Sequence, residues 1–382
     1  MQIGNIISVD SFKEKYNVQH YFLSNFLTRN LQGFNDGWRR GFIHCSAITK
    51  KLLLSQYELD SDLIIDHEFN QPELIYLDTS KQVSVTLTLI PNGHSPGSCM
   101  LLFNGSFGNV LYTSDFRLND EILTNEILIS YKERITRLFL DNTFCHPKYK
   151  LPSEEQAFQQ IVHLLEKQTK PLKCVLAMRA RIGRINLLKG LIKYFQTTIN
   201  VTENRIRFLQ AAEIKGSSFV TQDSKSIIHI IDQTDPSETT INNLQKIIGG
   251  FFVINLSGRY NNCQLTKYGE NRYHVSHSLH SDYKELCNFI EFLSPKYVSP
   301  IRKDYPFELP EKIQERAINT QKIQFSSKNE KGGEFSTTNN FILPFDGIKK
   351  TKLRKMKKRN MGVKFVNISS SENSSYEEES FN

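Results

Sequence analysis

Residues 83 to 117, VSVTLTLIPNGHSPGSCMLLFNGSFGNVLYTSDFR, decide the reading of the chain. VSVTLTLI alternates apolar and polar side chains over residues 83 to 90, the period of a half-buried strand. The turn PNGHSPG follows, and then two more strand-like runs, SCMLLF and NVLYTSD, joined through NGSFG. The pattern is a hairpin with polar loops at its ends. ITRLFLDN (135 to 142) predicts a buried strand ending in an acid. PSEEQAFQQIVHLLEKQ opens with Ser153 as N-cap and Gln156 three residues on, the spacing of a capping box, and carries an apolar face through Phe158, Ile161, Leu164 and Leu165. A strand KCVLAM, a helix NLLKGLIKYFQ, a strand FFVINL, a helix beginning at Ser281 and a closing strand KYVSPI follow. The chain reads as α/β.

The chemistry-bearing residues punctuate these strands. His94, Asp115, Asp141, His229 and His280 each stand at or near the end of an apolar run. A lone histidine there is more often a hydrogen-bonding residue than a ligand. Five such residues fit the rule that α/β sheets gather their sites at strand ends, and imidazole with carboxylate is a donor set that suits zinc. His20 and His44 read as structural, and His67 and His163 as surface or helix-flank residues. His274, His277 and His280 would share a face only on a helix, whereas HVSHSLH has the composition of a strand running into a turn.

A chain of 382 residues, 39% hydrophobic, is long enough for two packed domains or one domain with a large insertion. Neither a signal-like start nor an apolar run long enough to span a bilayer is present, so no membrane or secretory role is expected. The six cysteines lie far apart, as reduced thiols do in cytosolic or nuclear proteins. The net charge of +8 is uneven: residues 349 to 359, KKTKLRKMKKR, carry eight basic side chains, and the last residues are acidic and serine-rich. The run has two readings, a solvated disordered segment or a nuclear-import and DNA-affinity patch, and the second is favoured because like charges packed this closely gain little from a fold and lower their energy beside a polyanion. Residues 326 to 340 have linker composition, so the folded part is expected to end near 325.

ISVDSF, YFLS, IHCSAITKKLL, the hairpin region, LFLDNTFCHPKYKLPSEEQAFQQIVHLLEK and HVSHSLHSDYKEL together resemble the metallo-β-lactamase and β-CASP DNA nucleases of the Apollo and Artemis type, in order and over roughly residues 5 to 305. IGRINLL and IIHIID are more similar to the Apollo branch. The resemblance implies a four-layer αββα metallo-β-lactamase fold with an inserted β-CASP cap. Residues 1–150 and 271–325 would form the lactamase domain, 151–270 the cap, and 326–382 a linker and tail. It also implies zinc as cofactor, a DNA groove between the domains, removal of nucleotides from 5′-phosphorylated ends, and a place in the nucleus in cross-link or break repair or telomere maintenance, with repair or telomere proteins as partners. Asp141 and His229 fall on catalytic family positions. Thr143 falls at the groove, and Arg184 where a basic residue would hold the 5′-phosphate.

The family's His-x-His-x-Asp-His ligand motif is missing from YFLSNFLTRNLQG (21 to 33). Its four ligands fall on Asn25, Leu27, Arg29 and Asn30, while FLS before and Gly33 after remain. Of seven family metal positions, His94, Asp115 and His280 survive, with His94 serving the first metal, His280 the second and Asp115 bridging. Changes behind a ligand already cost about 10- to 100-fold in affinity or activity, and here four direct ligands are replaced. Arg29 brings a permanent cation to a dication site. It has two open placements: inward, pairing with Asp115 or a DNA phosphate, or outward on a remodelled loop. Two functions remain open, a non-catalytic protein for DNA ends or partners with zinc absent or weakly bound, and a 5′-to-3′ exonuclease with a rearranged single-metal site. A decaying gene copy is a third reading.

Overall fold

A computed structural model describes residues 2–3, 6–13, 18–78, 83–167, 172–179, 182–214, 218–221, 226–260 and 264–317. The linker at 326 to 340 and the basic and acidic tail segments lie outside them.

The first sheet holds β1 (Gln2–Ile3), β2 (Ile7–Val9), β3 (His20–Phe22), β4 (Phe42–Ser46) and β5 (Ile64–His67) in sequential order, parallel from β2 onward. The second contains β6 (Glu73–Asp78), β7 (Val83–Pro91), β8 (Cys99–Gly105), β9 (Gly108–Tyr112) and β10 (Arg137–Leu140). β7, β8 and β9 are the antiparallel meander that the alternation at 83 to 112 predicts. The two sheets face each other through Ile7, Val9 and Phe22 on one side and Leu87, Leu89, Leu101, Phe103 and Val110 on the other, all buried. Helix α1 (Ala47–Gln56) covers the outer face of the first sheet, burying Leu53 against Tyr21, Leu23, Ile43 and Cys45.

After β10 the chain leaves this sandwich. Two short helices, α2 (Asp120–Leu123) and α3 (Glu126–Ser130), lie between β9 and β10, and the first element after β10 is α4 (Glu154–Glu166), whose capping box between Ser153 and Gln156 forms as its spacing requires. A third sheet follows: β11 (Lys173–Ala177), β12 (Ile199–Asn200), β13 (Phe219–Val220), β14 (Ile228–Ile231), β15 (Phe251–Leu256), β16 (Thr266–Gly269) and β17 (Arg272–Val275), in the order β13-β12-β14-β11-β15-β17-β16. Both faces are covered, as the near-continuous apolar runs demand. Cys174 and Leu176 of β11 meet α4 and α5 (Ile185–Phe195), while Val175 and Ala177 meet α7 (Glu238–Ile248), which follows α6 (Glu203–Ala211).

The chain then returns through α8 (Tyr283–Leu293) to β18 (Tyr297–Pro300), which pairs in parallel beside β10, and ends the described part with α9 (Glu311–Ala317). α8 buries Leu286, Phe289, Ile290 and Leu293 on the outer face of the second sheet, completing helix, sheet, sheet and helix layers. The third sheet is thus inserted between two neighbouring strands of the second, and it extends to Val275, beyond residue 270.

Two local starts differ from expectation. α8 is capped by Asp282 rather than beginning at Ser281, because the Ser281 hydroxyl is used elsewhere: its Oγ lies 3.1 Å from the Phe116 carbonyl and accepts from Leu118 N at 2.9 Å. His67 is a buried residue of β5, not a surface one, because β6 of the second sheet closes over it, with Glu73 Oε2 3.1 Å from its Nδ1.

Candidate metal centre

The site collects where the sandwich strands end. β3 leads into Ser24 and Asn25, β7 into His94, β9 into Asp115, β10 into Asp141 and β18 into Arg302, while His280 precedes α8. Asn92 and Gly33 fix two of the loops. Asn92 Nδ2 donates to the Asp115 carbonyl at 2.9 Å, and its Oδ1 accepts from His94 N at 3.2 Å. Gly33 has φ +84°, and a Cβ there would lie 2.8 Å from the Phe12 carbonyl oxygen, so the loop from 25 to 33 closes only on glycine.

His94, Asp115 and His280 come together: each offers one ligand atom, and these atoms lie within 4.8 Å of one another. His280 Nδ1 lies 2.6 Å from Asp141 Oδ2, and Asp141 Oδ1 accepts from the Thr143 hydroxyl at 2.6 Å. Burial alone would raise the Asp141 carboxyl. The His280 ring, the Thr143 hydroxyl and Arg302 outweigh it and hold the group far below the usual carboxylate range.

Arg29 turns inward. Its guanidinium forms an ion pair with Asp115 Oδ2, with 40% of its side chain exposed, and Arg302 Nη2 donates to Asp115 Oδ1 at 2.7 Å. Asp115, the expected bridge between two metals, is therefore gripped by two arginines. Burial and the like charge of Arg302 push the Arg29 guanidinium down to about 10, and Asp141 and Asp10 oppose this shift. Asn25, fully buried, donates from Nδ2 to His94 Nδ1 at 3.0 Å while its Oδ1 accepts from Ser95 Oγ at 3.0 Å. The other ring nitrogen of His94, Nε2, faces Asp115 Oδ2 at 4.0 Å.

These residues do not fit a zinc ion. Zinc needs three or four donors with free lone pairs at ~2.0–2.2 Å. Here only His94 and His280 keep a ring nitrogen for a metal, because both Asp115 oxygens are engaged by guanidinium groups and Asn25, Leu27, Arg29 and Asn30 supply no imidazole or carboxylate. A fixed positive charge beside the centre adds direct repulsion.

The remaining expected residues lie elsewhere or are differently engaged. His229 is not at a strand end: it is buried within β14, paired across to Val175 and Asn200, with Nε2 3.0 Å from the Ser226 carbonyl oxygen. It is not among the clustered donors. Arg184 caps α5 from a left-handed backbone with φ 62° and points inward, donating from Nε to His277 Nδ1 at 3.2 Å and from Nη2 to the His277 carbonyl at 3.3 Å. Burial and the charge of Arg205 push it down to about 10. His274 stacks between Tyr260 and Tyr268, so the three spaced histidines do not converge. Arg302 was missed by the sequence reading, although it directly follows the closing strand, the same position that singled out the acids.

The comparisons with known proteins agree with this architecture. The family model described as DNA repair metallo-beta-lactamase matches residues 191–302. The chain is 28% identical over 338 residues to 5′ exonuclease Apollo of Danio rerio, covering 84% of this chain and 58% of that protein. It is 28% identical over 341 residues to Protein artemis of Mus musculus, covering 77% and 46% respectively. The chain thus spans about half the length of the relatives it matches. A crystal structure of a protein of unknown function from Enterococcus faecalis V583 shares the fold, with a TM-score of 0.50, 16% identity, and coverage of 77% of this chain and 80% of that one. With the layered sandwich, the inserted third sheet and the surviving His94, Asp115 and His280, these likenesses show that the chain belongs to the metallo-β-lactamase/β-CASP family of DNA repair nucleases.

Proposed function

We propose that this chain binds 5′-phosphorylated DNA ends without cutting them, in DNA repair or telomere maintenance in the nucleus. The observation that carries the reading is the pair of guanidinium groups, Arg29 and Arg302, on Asp115. Metals in such a site polarise a phosphodiester and lower the pKa of bound water. A guanidinium supplies only the first half of that chemistry: it attracts phosphate through charge-assisted, fork-shaped hydrogen bonds but cannot ligate and acidify water. A site with arginines in place of metals keeps affinity for the phosphate and loses the hydroxide.

Arg184 supports the second contact. Its Nε and Nη2 are engaged, which fixes the guanidinium, and Nη1 makes no hydrogen bond to the described residues, leaving a preorganised donor for a terminal phosphate. Thr143 can join only by releasing Asp141, because its hydroxyl proton is directed there. His229 has no part in the proposal.

The alternative, an exonuclease with a single rearranged metal, draws support from the closeness of His94, Asp115 and His280. It requires Arg29 to leave Asp115. Fluorescence anisotropy with 5′-phosphorylated and 5′-hydroxyl single strands tests the proposal. The phosphorylated strand should bind more tightly, and Arg184→Ala should remove the difference with the fold intact. Equal affinities in the unaltered protein would refute end recognition.

A further inference from the structure

Away from the candidate centre, three buried histidines form a continuous row across the first sheet. His20 Nδ1 lies 3.0 Å from His44 Nε2, and His44 Nδ1 lies 2.9 Å from His67 Nε2. They occupy the neighbouring strands β3, β4 and β5 along a diagonal, since His20 is paired with Phe42 and His44 with Ile65, each two residues before the next histidine, and consecutive ring centroids are 5.2 Å apart. Both ends of the row reach β6 of the second sheet. His20 hydrogen-bonds the backbone of Leu77, and His67 Nδ1 lies 3.1 Å from Glu73 Oε2. The row is therefore a polar seam between the first sheet and β6, the edge strand of the second. It is not a metal site: an ion needs ~2.0–2.1 Å to each nitrogen in a converging set, whereas these nitrogens face one another in line at hydrogen-bond distance.

Counting donors fixes the protons. A neutral imidazole donates once and accepts once. The Leu77 carbonyl only accepts, so His20 donates to it and its Nδ1 must accept from His44 Nε2. His44 Nδ1 must then accept from His67 Nε2. That leaves His67 Nδ1 as an acceptor facing a carboxylate, which is also an acceptor, and this buried nitrogen has no other partner among the described residues. Two facing acceptors are unfavourable in a buried setting.

We propose that the row traps one additional proton at its His67–Glu73 end, so that closing the two sheets on each other is coupled to uptake of a proton. The charged groups around the row are few. Asp66 of β5 is paired with Lys50 of α1 at 2.8 Å, Glu73 is the carboxylate of β6, and the rings of Phe22 and Phe42 flank His44 and His20. Burial and the neighbouring rings keep His44 neutral, with burial doing the same at His20, so the excess proton belongs at the carboxylate end.

Nitrogen-15 NMR of the imidazoles in the full chain near neutral pH, with carbon-13 detection of the Glu73 carboxyl, tests this directly. His20 and His44 should carry protons on Nε2 only. His67 should be protonated on both nitrogens, or Glu73 should be a neutral acid. Glu73→Gln puts a neutral N–H opposite His67 Nδ1, so His67 should become singly protonated and proton uptake on folding should fall by about one. A singly protonated His67 beside an ionised Glu73 in the unaltered protein would overturn the proposal, even if the variant failed to fold.

Discussion

Replacing Arg29 with methionine keeps much of its bulk and removes one of the two charges on Asp115. Breaking a buried ion pair from one side costs about 3–5 kcal/mol when the other charge is left alone. Here Arg302 stays 2.7 Å from Asp115, and Arg29 is 40% exposed, so solvent screening reduces its share. The Arg29→Met loss should therefore be only about 1–2 kcal/mol. Asp115→Asn is the harsher change, because it strands two guanidinium groups near each other, and about 3 kcal/mol or more is expected. The double variant should recover part of that cost, since one of the stranded charges is gone. Urea denaturation of the four proteins yields the coupling, which should be 1–2 kcal/mol, well above the ~0.5 kcal/mol scatter of independent sites. Additive losses would mean that Arg29 does not hold Asp115, and the replacement of metal by guanidinium would fall with it.

Acid should weaken the fold. Burial lowers the pKa of His20, His44 and His94, whereas the unfolded chain titrates them near ~6.5. Their contribution is thus present above that pH and lost as pH falls below it, by up to about 1.4 kcal/mol per pH unit for each excluded proton. Denaturation midpoints measured on both sides of ~6.5 check this, and an unchanged midpoint on acidification would count against it. Deleting residues 349 to 359 should abolish nuclear accumulation and flatten the salt dependence of DNA binding, whose log-log slope is about −0.9 per phosphate neutralised on duplex DNA. An unchanged slope and unchanged nuclear signal would remove the tail from the DNA-binding account.

Local patterns in the sequence were legible where their cause is local. The alternation at 83 to 90 and the Ser153 to Gln156 spacing depend on neighbours a few residues away, and both formed as read. The centre was partly legible, because strand ends in such a fold converge: His94, Asp115 and His280 did so, and Asp141 joined them through His280. The rest was set by contacts distant in the chain. Arg29 turns inward because Asp115, 86 positions away, attracts it. Arg184 turns inward because His277 and the Leu256 carbonyl accept its protons. His67 was read as a surface residue because IIDHEF carries no sign that β6 of the other sheet closes over it. His229 lies one residue into β14, where its Nε2 is 3.0 Å from the Ser226 carbonyl oxygen. A polar residue inside an apolar run was taken as its end.

The most direct test mixes excess protein with 5′-phosphorylated single-stranded DNA in the presence of zinc and magnesium. Binding is followed by anisotropy, and strand length is read from the same samples on a denaturing gel over many binding lifetimes. The strand should be bound and remain full length. Shortening of the strand by the unaltered protein, abolished in the His94→Ala and Asp115→Ala double variant, would contradict the reading of a centre in which arginine has replaced metal.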